Sequence, residues 1–227
     1  MITEERFSLL PISSLFFAIG FLAVGYGMIL TFIGVHLKET GSSNIAIGII
    51  NASFFLGAIG SSIFSQKIIS SVGHIRSFAT FASIMIIGFL GHSLYFNELF
   101  WAILRLLSGF AYYGLLISLE SWLNEKSTNE IRGQVFALYQ ITVYLFQGAA
   151  QFLLNIPDPT GYGLYILTSV LVSLAVVPVA LTRVEPPELP KAVQLNFRQL
   201  YAISPTGMLA SLASGALLGA IYGMGPS

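Results

Sequence analysis

The sequence contains no cysteine. That excludes a disulfide framework, a thiolate metal site and a cysteine nucleophile. Charge is nearly as scarce: 9% of the 227 residues are Asp, Glu, Lys or Arg, against about 25% in an ordinary soluble domain. The 10 basic and 10 acidic residues cancel, so no basic field exists to hold a nucleic acid. Catalytic signatures are missing as well: there is no HExxH, no Walker loop and no GxSxG. The histidines, His36, His74 and His92, are scattered along the chain, and no close carboxylate pair sits inside an apolar run. The expectation is a protein that is not an enzyme and that carries neither cofactor nor metal.

Apolar length is what the chain has in quantity. Hydrophobic residues make up 55% of it and the mean hydropathy is +0.81. About 20 apolar residues cross the ~30 Å hydrocarbon core. Seven stretches qualify, over residues 12–37, 45–64, 75–96, 99–123, 135–156, 162–182 and 205–225. A helix satisfies its own backbone in lipid and an isolated strand does not; the alternation of a membrane barrel is not seen. The first run follows Glu4, Glu5 and Arg6, exceeds a signal-peptide core and lacks a small-residue cleavage site, so it reads as a retained span.

Basic residues orient the spans. With the N-terminus cytoplasmic, Arg6, Lys67, Arg76, Lys126, Arg132, Arg183, Lys191 and Arg198 fall inside and Lys38 alone falls outside. The outside turns (38–44, 97–98, 157–161) are short, whereas 183–204 contains RVEPPELPK, whose prolines lack an amide hydrogen and resist helix. The expected organisation is an all-α membrane protein: a six-span bundle over 1–183, a cytoplasmic linker over 184–204, and a seventh span over 205–227 that begins an incomplete second bundle. Six spans divide into two sets of three with opposite orientation, as in many transporters. An unpaired span followed at once by GMGPS predicts a piece of a longer protein.

The stretch 99–151 concentrates the awkward residues. Trp101 and Trp122 are 21 residues apart, about 31 Å along a helix, which predicts one at each interface of the fourth span rather than inside the bundle. Arg105 lies one turn inward of Trp101. It either snorkels to headgroups or faces a wet cavity, and Ser108-Gly109 favours the second by admitting a neighbouring helix. Gln140, Tyr144, Gln147 and Gln151 share one face of the fifth span. That face looks inward, either to touch solute or to hydrogen-bond between helices. Tyr26, Asn51 and Tyr112 are further cavity candidates. Gly20, Gly25 and Gly27, and Gly57 with Ser61, signal close helix packing. At the predicted inner face stand Gly73, Arg76, Glu120, Arg132 and Gly133. A carboxylate between guanidiniums there either latches helix pairs in one state or is ordinary surface charge.

These motifs resemble the major facilitator superfamily of transporters. Arg105-Leu-Leu-Ser108-Gly109 resembles its fourth-span RxxxG, Gly73 to Arg76 the end of its second-to-third loop motif, and Arg132-Gly133 the Arg-Gly opening its fifth span. GHIR, the run from Glu120 to Asn124, Arg132-Gly133 and a glutamine-bearing fifth span together look most like the YcaD-like branch. The chain departs from the loop motif at Ser70 and Ser71, where an acid and an arginine are usual, and it lacks the Gly-Pro pattern of drug/proton antiporters after Gly148. The resemblance implies two six-helix bundles around a central cavity that opens to each side in turn, in a plasma membrane of bacterial inner-membrane type. Arg105 would match the fourth-span arginine, with Arg76, Glu120 and Arg132 at the inner gate.

The expected function is secondary transport of a small solute, with or without a coupling ion. Its expected partners are that solute, the lipid bilayer and a missing C-terminal six-span half. A truncated, non-transporting membrane protein with a packing role is the alternative.

Overall fold

The computed structural model describes residues 13–154, 162–182 and 197–224. Arg6, the turn at 157–161 and the proline-bearing 183–196 lie outside the described residues. All regular structure among the described residues is helical: α1 (Ser13–Glu39), α2 (Asn44–Val72), α3 (His74–His92), α4 (Glu98–Lys126), α5 (Arg132–Leu153), α6 (Gly163–Ala180), α7 (Phe197–Ile203) and α8 (Pro205–Met224). The short α7 falls inside the predicted linker.

Local chemistry sets the boundaries. Ser43 and Asn97 cap α2 and α4 by accepting from the amides of Ala46 (3.2 Å) and Phe100 (3.0 Å), which satisfies donors the first helical turn leaves open. Gly73 separates α2 from α3 with φ 87°, a conformation that side-chain-bearing residues rarely adopt. α2 outruns its predicted end at 64 and runs on to Val72; the hydroxyls of Ser70 and Ser71 are satisfied there by carbonyls one turn earlier, so polar residues are carried within the helix.

Among the described residues five helices, α1 to α4 and α6, are long and apolar enough to cross a membrane. α5 has 22 residues, but glutamines dilute its apolar face. The chain is an integral membrane protein of helical-bundle type.

Packing follows a regular exchange. α2 packs on α4 as α5 packs on α1; α1 packs on α6 as α4 packs on α3; and α3 meets α6. Swapping α1–α3 for α4–α6 maps each pairing onto another, which is the arrangement expected of two triplets in one bundle. The core runs along α1, α3 and α4, through Leu22, Met28, Ile29, Phe81, Met85, Ala111, Leu115 and Leu119. α5 contributes little to it: only Val135, Tyr139 and Ala150 are buried.

Candidate functional site

The segment Arg105 to Gly109 uses three successive faces of α4. A β-carbon at Gly109 would overlap the Phe54 carbonyl of α2, and one at Gly57 would overlap the Leu106 carbonyl of α4. The two backbones are therefore in reciprocal contact, as small residues at a helix crossing allow. Ser108 faces α3, where a β-carbon at Gly88 would meet its hydroxyl. Arg105 then projects between these contacts.

Arg105 is 3% exposed and its guanidinium stands 4.4 Å from the Phe54 ring centre. This is a cation–π approach. Nε and Nη1 are buried without a hydrogen-bond partner among the described residues. Tyr26 and Tyr165 are its electrostatic neighbours. Tyr26 stacks on Tyr112 at 3.8 Å and lies 5.9 Å from Phe54. The fold thus brings Tyr26 of α1 and Phe54 of α2 up to Arg105 and Tyr112, which lie two turns apart on α4. Asn51, one turn before Phe54 on α2, is also buried.

The tryptophans correct the sequence reading. Trp101 and Trp122 are 0% and 1% exposed, so both lie inside the bundle rather than in an interfacial belt. Trp101 packs against His36, His92, Phe96 and Tyr165, and its indole N–H donates to the Tyr95 carbonyl at 3.1 Å. Neighbouring helices cover both ends of α4, which periodicity along one helix does not reveal.

The histidines also differ from their scattered appearance. His36 near the end of α1 and His92 at the end of α3 meet around Trp101 and Tyr165. His92 stacks on Tyr165 at 5.3 Å and 9°, and His36 lies 5.8 Å from the same ring. A signal was present: each histidine closes an apolar run on the same predicted side of the membrane, where an ionisable group is costly.

On α5, Gln140 and Tyr144 are exposed and Gln147 is half-buried. Gln151 joins α5 to α1: its amide donates to the Gly27 carbonyl at 2.9 Å and accepts from Thr31 at 3.0 Å. Below this junction α1, α5 and α6 enclose an apolar groove of about 640 Å³, lined by Phe16, Phe21, Leu138, Phe146 and Leu171 among others.

At the end of the bundle where α1 begins, Ser14 bonds to Thr182. The His74 ring pairs with the Ser121 hydroxyl at 3.1 Å and packs beside Trp122, tying α3 to α4. Arg76 and Gly133 are exposed. Glu120 accepts from the Tyr139 hydroxyl at 2.8 Å, and Arg132 donates to the Ser127 carbonyl at 3.3 Å. The carboxylate's hydrogen-bond partner is thus a phenol of α5, not Arg76 or Arg132.

Over most of its length the chain is similar to part of MFS-type transporters, in sequence and in fold. Relatives named as the uncharacterized MFS-type transporter YcaD are 21% identical in Salmonella arizonae and 22% identical in Salmonella newport, over 95% of this chain. The chain spans 57% of the length of these curated relatives. The crystal structure of the nucleoside transporter NupG (D323A mutant) superposes with a TM-score of 0.74 at 16% identity, covering 95% of this chain and 57% of that one. No protein-family model matches the chain.

Proposed function

We propose that this chain supplies the N-terminal half of a secondary transporter for a small solute, working by alternating access. The observation that carries the reading is Arg105: a charged donor with open N–H groups, held where α1, α2 and α4 converge. A buried ionisable group in a membrane bundle is too costly to be idle. Tyr26, Asn51 and Tyr112 stand with it, and Gln140, Tyr144 and Gln147 form an open polar face on α5 for the second half or for solute. Gln151 serves the α1–α5 junction.

The N-terminus is placed on the cytoplasmic side of a bacterial inner membrane, by the excess of basic residues there. Residues 1–183 form the bundle, 184–204 the linker, and 205–227 open the second bundle. Gly73, Arg76, Glu120, Arg132 and Gly133 belong to the cytoplasmic gate, with Tyr139 as the added partner of Glu120. No ATP-binding motif is present, so an ion or solute gradient would drive transport.

The test is flux in proteoliposomes of the complete transporter that contains this chain, with a panel of small solutes, anions and nucleosides included. Arg105→Ala is expected to abolish transport and Arg105→Lys to impair it. Equal flux in both variants and the parent would remove Arg105 from solute handling. No flux with any solute would favour a non-transporting packing role.

A further inference from the structure

Arg105 has no carboxylate beside it in this bundle. Among the described residues the helices carry acidic side chains only at Glu39, which ends α1, and at Glu98, Glu120 and Glu125 of α4. Glu98 is seven residues before Arg105 and Glu120 fifteen after it, about 10 Å and 22 Å of helix rise. Nε and Nη1 of Arg105 meet neither of them nor any other described acceptor. A guanidinium out of water is tolerable when an anion meets it. The described helices do not supply that anion.

The walls around the guanidinium define what else the anion carries. Residues seven apart on a helix share a face, so Arg105 and Tyr112 lie along one line of α4. Phe54 of α2 links them: its ring is 4.4 Å from the guanidinium and 6.1 Å from the Tyr112 ring. Contact of Gly57 and Gly109 with the facing backbones fixes Phe54 against α4. Tyr26 of α1 completes the row, stacked on Tyr112 at 3.8 Å and 14°. All four side chains are buried. No second charged residue lies within a turn of Tyr26, Phe54 or Tyr112 along their helices. The row therefore runs from one positive charge to flat aromatic faces.

We propose that the solute met by Arg105 is a small monoanion with a flat apolar body, an aryl carboxylate being the simplest case. Its carboxylate accepts charge-assisted hydrogen bonds from the open N–H groups of Arg105. Its ring packs on Tyr26 and Tyr112, whose stack parts to admit it. A single negative charge suits the site. A neutral solute leaves the guanidinium uncompensated, and a dianion brings a surplus negative charge out of water. This assignment of solute class rests on the transporter reading and narrows it.

Titration calorimetry on the complete transporter that contains this chain, purified in detergent, tests the class with four probes. Benzoate has the ring and one charge, benzamide the ring and no charge, acetate the charge and no ring. Phenyl phosphate has the ring and two charges at about pH 8. Benzoate is expected to bind at least about tenfold more tightly than each of the others. In Arg105→Gln its advantage over benzamide is expected to disappear, and in Arg105→Lys to persist in part. Absence of benzoate binding by the parent, or equal binding of benzoate and any other probe, would overturn the proposal. A parent-like advantage in Arg105→Gln would also overturn it. The ranking of probes by the parent decides the matter even if a variant fails to fold. Flux of other solutes without benzoate binding would remove this solute class and leave the transporter reading standing. Benzoate binding with no flux of any solute would remove the transporter reading instead.

Discussion

The α2–α4 and α1–α5 seams occupy equivalent positions when one triplet is exchanged for the other, yet they are built differently. At α2–α4 two glycines each press on the opposite backbone, at Leu106 and at Phe54. At α1–α5 only Gly27 comes close, 2.9 Å from the Gln147 backbone for an added β-carbon. The rest is side-chain bonding through Gln151 and an apolar groove. Backbone contact leaves a helix one position, whereas a groove and a side-chain bridge leave it several. The difference suggests which part of the bundle is frame and which is free to shift: α2 and α4 hold Arg105, and α5 carries the exposed polar face.

The largest effect should come from filling the tight seam. Gly57→Ala or Gly109→Ala places a methyl on a carbonyl of the facing helix, so α2 and α4 must separate. The cost should be at least about 2–3 kcal/mol, the upper range for overpacking, and should exceed the helix-propensity gain of alanine. Thermal unfolding of the purified protein in detergent measures it. A loss under about 1 kcal/mol at both positions would show that the seam is not locked.

A smaller effect is expected at the bridge of the loose seam. Gln151→Leu removes the bonds to Gly27 and Thr31, interhelical hydrogen bonds that average about 0.6 kcal/mol each in membrane bundles. A total near 1 kcal/mol by the same unfolding measurement fits side-chain bridging. A loss matching the glycine variants would make the two seams equal in strength.

The fold was legible because lipid leaves few choices. Apolar runs of sufficient length become helices, and α1, α4 and α6 fall within a few residues of the predicted spans. The small residues Gly57 and Ser108-Gly109 correctly announced close packing. The site was less legible, for a physical reason. His36, His92, Arg105 and Tyr165 meet only through the pairing of α1, α3, α4 and α6, and sequence spacing carries no record of that pairing. The tryptophans misled similarly: their spacing matches a membrane thickness, but neighbouring helices bury both. Glu120 bonds the phenol of Tyr139, a partner that only the packing of α5 beside α4 supplies and that charge pairing along the sequence does not announce.

The sharpest use of the contrast is the same small change made on the other side. Gly20 faces the α1–α5 groove, and a β-carbon there would lie 3.6 Å from the Phe146 ring, an ordinary contact. Gly20→Ala should therefore cause no separation of helices and should recover part of the backbone entropy that glycine costs, raising stability by no more than about 0.5–1 kcal/mol. Glycine to alanine would then have opposite signs at Gly57 and Gly20, although both lie on apolar helices of one bundle. A clear loss of stability in Gly20→Ala would mean that the groove closes in the membrane, with α5 seated on α1 as tightly as α2 is on α4.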